Sequence, residues 1–199
     1  MHRPLIIGVG GFTSNVGKTT LMCDLLRAFP GWEAIKTTRG HYRSCGKDPE
    51  ACCVSDLLAD EPVIRSGREE TYDTGKDTAR YWDAGASNVH WLIATDGQIE
   101  KGIRQALNRV KAQGVFVEGN SFSQYVETDY FVMVKRSENN AIKKTAKRLL
   151  PRASAIFVSD ARDPVASEST TYQTFVPANF NDLVTNLRSV ITHVCASGQ

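Results

Sequence analysis

The feature that most constrains this chain is the run Gly-Phe-Thr-Ser-Asn-Val-Gly-Lys-Thr-Thr from Gly11 to Thr20. It follows a short apolar stretch, Leu5 to Gly10, that reads as a strand buried on both faces. It precedes Leu21, Met22, Leu25, Leu26 and Phe29, which recur at helical spacing until Pro30-Gly31 stops them. Strand, glycine-rich turn and helix in this order form a cradle for phosphate. Glycines let backbone N–H groups curl around an anion, and the helix start adds unpaired donors and the positive end of its dipole. The expected nucleotide-binding residues are Gly11, Thr13, Ser14, Asn15, Val16, Gly17, Lys18, Thr19 and Thr20. Lys18 is placed to reach the β- and γ-phosphates and the Thr19 hydroxyl to bind Mg2+. Five residues separate Gly11 from Gly17 and Phe12 stands where a glycine is usual, so the loop is one residue longer than standard at its first corner.

Further along, Glu33 to Thr38, Val89 to Thr95, Val115 to Val117, Tyr130 to Val134, Ala155 to Ser159 and Thr174 to Val176 read as strands. Helices are expected around Ala51 to Ala59, from Gln98 to Gln113, from Asn139 to Leu150 and from Asn181 to Val194. Short apolar strands alternating with amphipathic helices predict an α/β fold with three layers: a mainly parallel sheet with helices on both faces. No linker divides the chain, so residues 1–199 read as one domain, with a polar, cysteine-containing insert over 39–70.

In an open parallel sheet, ligands sit beyond the carboxyl ends of the strands. Lys36, near the end of the second strand, is either a second cation for phosphate or an exposed lysine. Glu118 follows a buried strand, and a carboxylate there is best matched by Mg2+, directly or through water. Asp77, in Asp73-Thr74-Gly75-Lys76-Asp77-Thr78, suits a helix N-cap on spacing alone, with a magnesium or water-positioning role as the alternative. Lys18, Lys36 and Asp77 are therefore the candidate catalytic residues, and Thr19 and Glu118 the magnesium ligands. Asp160, after a later strand, could accept both guanine N1–H and N2–H; Asp163 competes for that role, and no Asn-Lys-x-Asp motif supports either. His41, Cys45, Cys52 and Cys53 fall close together in the insert, where they could hold a soft metal or be small buried residues.

Composition narrows the function. With 24 basic and 22 acidic residues the net charge is +2, too balanced to indicate a nucleic-acid or membrane partner. No apolar run approaches the roughly 18 residues needed to span a bilayer. Five cysteines, an odd number, without an export signal point to a reducing cytoplasm.

Taken in order, the loop with Ser14-Asn15-Val16-Gly17-Lys18-Thr19-Thr20-Leu21, Ile35-Lys36 followed by His41, Gly75-Lys76-Asp77-Thr78, Ala84-Gly85-Ala86 and Val117-Glu118-Gly119 resemble the molybdopterin-guanine dinucleotide biosynthesis protein B family. The resemblance runs over roughly residues 5 to 180 and implies a P-loop NTPase that binds GTP with Mg2+. It implies a weak, homodimeric GTPase acting as an accessory factor beside a guanylyltransferase partner in molybdenum cofactor biosynthesis. By the same match Lys18, Thr19, Asp77 and Glu118 would be phosphate and magnesium residues. The longer loop, the lysine after the second strand and Val117-Glu118-Gly119 are also similar to dethiobiotin synthetases, which implies as an alternative an ATP-dependent enzyme acting on a small carboxylate or carbamate. A third alternative is a nucleotide-gated metal-handling protein centred on the cysteine insert. In each case where the loop binds nucleotide, Lys18→Ala is expected to abolish triphosphate binding while leaving the thermal unfolding midpoint nearly unchanged; calorimetry on a variant that still binds would contradict the assignment.

Overall fold

A computed structural model describes residues 3–40, 54–138, 141–162 and 172–197. Its strands are β1 (Leu5–Gly11), β2 (Glu33–Arg39), β3 (Val63–Ser66), β4 (Val89–Ala94), β5 (Gly114–Glu118), β6 (Tyr130–Lys135), β7 (Ala155–Val158) and β8 (Gln173–Phe175). Its helices are α1 (Lys18–Ala28), α2 (Arg68–Thr71), α3 (Asp77–Asp83), α4 (Ile99–Leu107), α5 (Lys144–Leu149) and α6 (Phe180–Ser197). The strands form one sheet in the order β3-β4-β2-β5-β1-β6-β7-β8. All neighbours pair in parallel except β3, which runs antiparallel to β4 at the edge.

Every residue of β1 and β5 is buried, because helices cover both sides of the central strands. Alternate side chains feed two cores. Ile7, Val9, Phe116 and Val132 pack with Leu21 and Leu25 of α1, Tyr81 of α3, and Leu183 and Leu187 of α6. Ile6, Val115, Val117 and Met133 face the other way, against Ile99 and Ile103 of α4 and Ala146 and Leu149 of α5. This is the expected three-layer α/β architecture with a mainly parallel sheet. Among the described residues no helix is long and apolar enough to cross a membrane.

The structure differs from the expected elements in several places. The segment before Asp77 contains β3 and α2. Val63-Ile64-Arg65-Ser66 is half-buried throughout, so it lacks the alternation that marks a strand, and it is held by pairing with β4. The helix expected over 98–113 ends at Leu107. The N–H groups of Lys111 and Ala112 turn away to donate to Glu33 Oε1, at 2.8 and 2.9 Å. The basic helix begins only at Lys144, because the Lys143 N–H donates to the Phe12 carbonyl at 2.9 Å. Of the helix expected around Ala51 to Ala59, the described part is one 3-10 turn, Ser55–Leu57.

Glu33 is a buried carboxylate whose two oxygens share three hydrogen bonds. Its Oε2 lies 2.7 Å from His90 Nε2, whose Nδ1 lies 2.8 Å from Ser66 Oγ. Burial works against its ionisation, but the hydrogen bonds from His90, Lys111 and Ala112 outweigh it and hold its pKa below the usual range. Glu33→Ala would strand those donors and is expected to cost about 3–5 kcal/mol at neutral pH, as loss of a buried partner does. Because the folded pKa is depressed, this contribution is present above the ordinary glutamate value of about 4.3 and fades as pH falls through the folded value. Urea unfolding of both proteins at several pH values should show the gap narrowing in acid.

Candidate functional site

The loop after β1 is shaped by its neighbours. The Gly11 N–H donates to Asn120 Oδ1 at 2.8 Å, and Asn120 Nδ2 donates back to the Gly11 carbonyl at 2.9 Å. The Phe12 N–H donates to the Val134 carbonyl at 2.9 Å, and its ring packs on the core beneath α4 and α5. The extra residue of the loop is thus absorbed by continuing β1 against β6. Gly11, expected among the phosphate-binding amides, has its N–H committed to Asn120. Val16 is buried, so only its backbone faces the cleft.

From Thr13 onward the chain turns back on itself. Asn15 sits at φ 58° and Gly17 at φ 93°, the left-handed conformations that swing successive amides to one side. A side chain at Gly17 would also strike Ser159, whose Cβ would lie 2.9 Å from the added carbon. The Leu21 N–H is the first to close α1, on the Gly17 carbonyl at 3.0 Å. The amides before it therefore have no partner within the helix, and their residues line an open cleft of about 450 Å³. That cleft is lined by Ser14 to Thr20 with Lys36, Asp77, Arg80, Glu118 and Arg136.

At the cleft's floor, strand register brings opposite charges together. Lys36 of β2 is paired with Glu118 of β5, so both side chains leave the same sheet face. Lys36 Nζ lies 2.6 Å from Glu118 Oε1 and 2.7 Å from Asp77 Oδ2. Thr19 Oγ1 donates to Glu118 Oε2 at 3.1 Å, and the Tyr81 hydroxyl donates to the same oxygen. Burial opposes the charge on Lys36, but Glu118 and Asp77 outweigh it and raise its pKa, so it is a cation at neutral pH. Burial likewise opposes ionisation of Asp77, and Lys36 overcomes it, aided by the Thr19 hydroxyl. Tyr81, fully buried against Glu118, has its pKa driven well up by burial first and by that carboxylate second, so it remains a donor. Lys18 is pulled the other way: burial lowers its pKa and Lys36 and Lys143 add to the effect, against the pull of Glu118.

Asp77 is the first residue of α3 and makes no capping hydrogen bond, so the N-cap role expected from spacing gives way to the ion pair with Lys36. Lys36 is not an exposed lysine; its side chain is 17 % accessible and held by two carboxylates. Asp160 lies just beyond β7, outside the cleft lining. It accepts the Ser137 N–H at 2.7 Å, which lowers its pKa, and is adjacent to the Ser159 that abuts Gly17. His41, Cys45, Cys52, Cys53 and Asp163 lie outside the described residues. Among the described residues no group of three or more His, Cys, Asp and Glu side chains is placed to hold a metal. Thr19, Glu118 and Asp77 do fit a hard cation that takes few protein ligands: two carboxylates converge on the cationic Lys36 with the Thr19 hydroxyl beside them.

Tyr81, Asn120 and Arg80 were not singled out from the sequence, whereas Val134-Lys135-Arg136 loosely resembles a strand-end basic position of the family. Tyr81 stands four residues after Asp77 on the same helix face, and Asn120 two after Glu118, so both followed from residues already suspected. Arg80 carried no comparable signal.

No protein-family model matches this chain, and no curated protein sequence matches it either. Among solved structures it is similar to LpxK from Aquifex aeolicus, crystallised in complex with ATP, with a TM-score of 0.54 and 15 % identity. That likeness covers 88 % of this chain and 54 % of the LpxK chain, so this chain spans about half the length of the protein it matches. At that identity the likeness shows the fold alone.

Removing the cation at the floor of the cleft has a direct consequence. Lys36→Met would leave Glu118 and Asp77 facing each other unbalanced. It is expected to destabilise the protein at neutral pH by less than the roughly 3–5 kcal/mol of a fully buried pair, since Asp77 is part exposed. Millimolar Mg2+ should raise the melting temperature of the variant more than that of the parent protein; equal shifts would show that these carboxylates do not receive a cation.

Proposed function

We propose that the chain binds GTP with Mg2+ in the cleft above α1 and is a slow GTPase. We further propose that it is a cytoplasmic homodimer assisting a guanylyltransferase in forming molybdopterin guanine dinucleotide. The observation that carries the nucleotide reading is the convergence at one helix start of unpaired amides, Lys18, and a hydroxyl–carboxylate set already neutralised by Lys36. An anion cradle beside a cation site is what a metal–triphosphate requires.

The residues divide the work by chemistry. Amides from Ser14 to Thr20 with Lys18 would hold the β- and γ-phosphates, and Arg80 and Arg136 extend positive charge along the same cleft. Thr19, Glu118 and Asp77 would hold Mg2+, which supplies Lewis-acid neutralisation of phosphate charge when bound. Tyr81 fixes Glu118 in place from the buried side. Lys36, lining the same cleft, would add positive charge toward a terminal phosphate, where it is worth most as negative charge develops.

Guanine preference is supported by Asp160, an ionised acceptor anchored on the Ser137 N–H next to the tip of β7 that packs on the loop. The biosynthetic role is supported by the Gly75-Lys76-Asp77-Thr78 and Ala84-Gly85-Ala86 resemblance. Here Asp77 is the site residue, while Ala84 and Ala86 are buried beneath the turn that ends α3. Calorimetry with Mg2+ is expected to show GTP bound more tightly than ATP, by a factor that Asp160→Ala removes. ATP bound far more tightly than GTP would overturn the accessory-GTPase reading in favour of an ATP-dependent transfer enzyme.

A further inference from the structure

A second hollow opens on the other side of the loop, and the function just proposed makes no use of it. It has a volume of about 280 Å³, and Lys18 and Ser14 line both it and the phosphate cleft. Its separation from the metal side follows from strand geometry. Lys36 and Thr37 are consecutive in β2, so their side chains leave opposite faces of the sheet; Arg39 follows Thr37 on the same face. Thr37 and Arg39 line the hollow, whereas Lys36 lines the cleft.

The lining is of one sign. Lys18, Arg39 and Lys143 contribute three cations, and among the described residues that line it there is no carboxylate. Lys143 is set there by its own backbone, whose N–H is fixed on the Phe12 carbonyl, and its Nζ donates to Ser14 Oγ at 2.6 Å. Among the described residues neither Lys18 nor Lys143 forms an ion pair. Arg39 pairs with Asp96 at 3.2 Å, but both are well exposed, so that contact is weak and exchangeable. Ser121 and Thr145 add hydroxyls, and Asn120 is held rigid by its two bonds to Gly11. Like charges brought together without an acid repel one another, and an anion relieves that repulsion.

We infer that this hollow seats a second ligand, a small molecule presenting a carboxylate or phosphate group, held by Arg39 and Lys143 across Lys18 from the nucleotide's terminal phosphate. The inference rests on the nucleotide reading for its neighbour but on separate residues for its own binding. It makes the protein a two-ligand device whose sites share one lysine, so that each ligand senses the other through Lys18.

Calorimetric titration of inorganic phosphate and of succinate into protein loaded with Mg2+ and guanylyl imidodiphosphate tests this. One equivalent of at least one probe is expected to bind. Arg39→Gln and Lys143→Met should each weaken that binding about tenfold or more, the worth of a charge-assisted hydrogen bond. Arg39→Gln should leave nucleotide affinity within twofold. Stronger phosphate binding would identify a phosphorylated ligand and stronger succinate binding a carboxylate; either upholds the site. No binding of either probe at millimolar concentration, or binding indifferent to both substitutions, would overturn it. Should the nucleotide itself fail to bind, the reading of the cleft falls. In that protein, phosphate binding weakened by Arg39→Gln would still uphold this site, and phosphate binding insensitive to it would not.

Discussion

The floor of the cleft depends on one ammonium group held between two carboxylates. Lys36 bridges Glu118 and Asp77 at 2.6 and 2.7 Å, joining β2, β5 and α3 at a single point. Glu118 alone would be a buried charge at a strand tip, an arrangement that is costly without a partner. With Lys36 against one oxygen and Thr19 and Tyr81 on the other, the carboxylate is satisfied and its direction is set. The same contacts tie the start of α1 to the sheet, so the cradle for anions and the seat for a cation are one rigid unit.

Topology explains why the unit assembles from segments far apart in sequence. β1 lies between β5 and β6, and β2 lies next to β5, so the carboxyl ends of these strands share one rim. The loop after β1 is then gripped from both sides. Asn120 beyond β5 holds Gly11, and Val134 of β6 holds Phe12. Gly119, at φ 141°, makes the first of these grips possible. An added side chain there would fall 1.9 Å from the Thr37 hydroxyl, which instead donates to the Glu118 carbonyl at 2.7 Å. Glycine at that position lets β5 turn sharply enough to bring Asn120 back to the loop.

Much of this was legible beforehand because it is local. The apolar run at Leu5 to Gly10, the glycine turn and the helix of Leu21 and Leu25 lie within one stretch of chain, and the parallel sheet follows from the alternation of such units. What was not legible depends on distant partners. β3 is a strand because β4 offers an edge, not because Val63-Ile64-Arg65-Ser66 alternates. α4 stops at Leu107 because Glu33, far back in the sequence, captures the amides of Lys111 and Ala112. Asp77 looked like a cap because spacing within its own segment cannot show that Lys36 competes for it. Lys143 and Arg39 gave no signal at all, since a basic residue outside a motif reads as solvated surface. The hollow they line emerges only when three elements meet.

The loop's occupancy by a metal–triphosphate is the claim on which the rest hangs, and amide NMR reads it most directly. On addition of Mg2+ and GTP, the largest 1H–15N shift changes are expected at the backbone amides from Ser14 to Thr20, with the Gly11 and Phe12 amides nearly still because Asn120 and Val134 already hold them. Saturable binding that moved amides elsewhere in the chain, and left those of Ser14 to Thr20 in place, would contradict it.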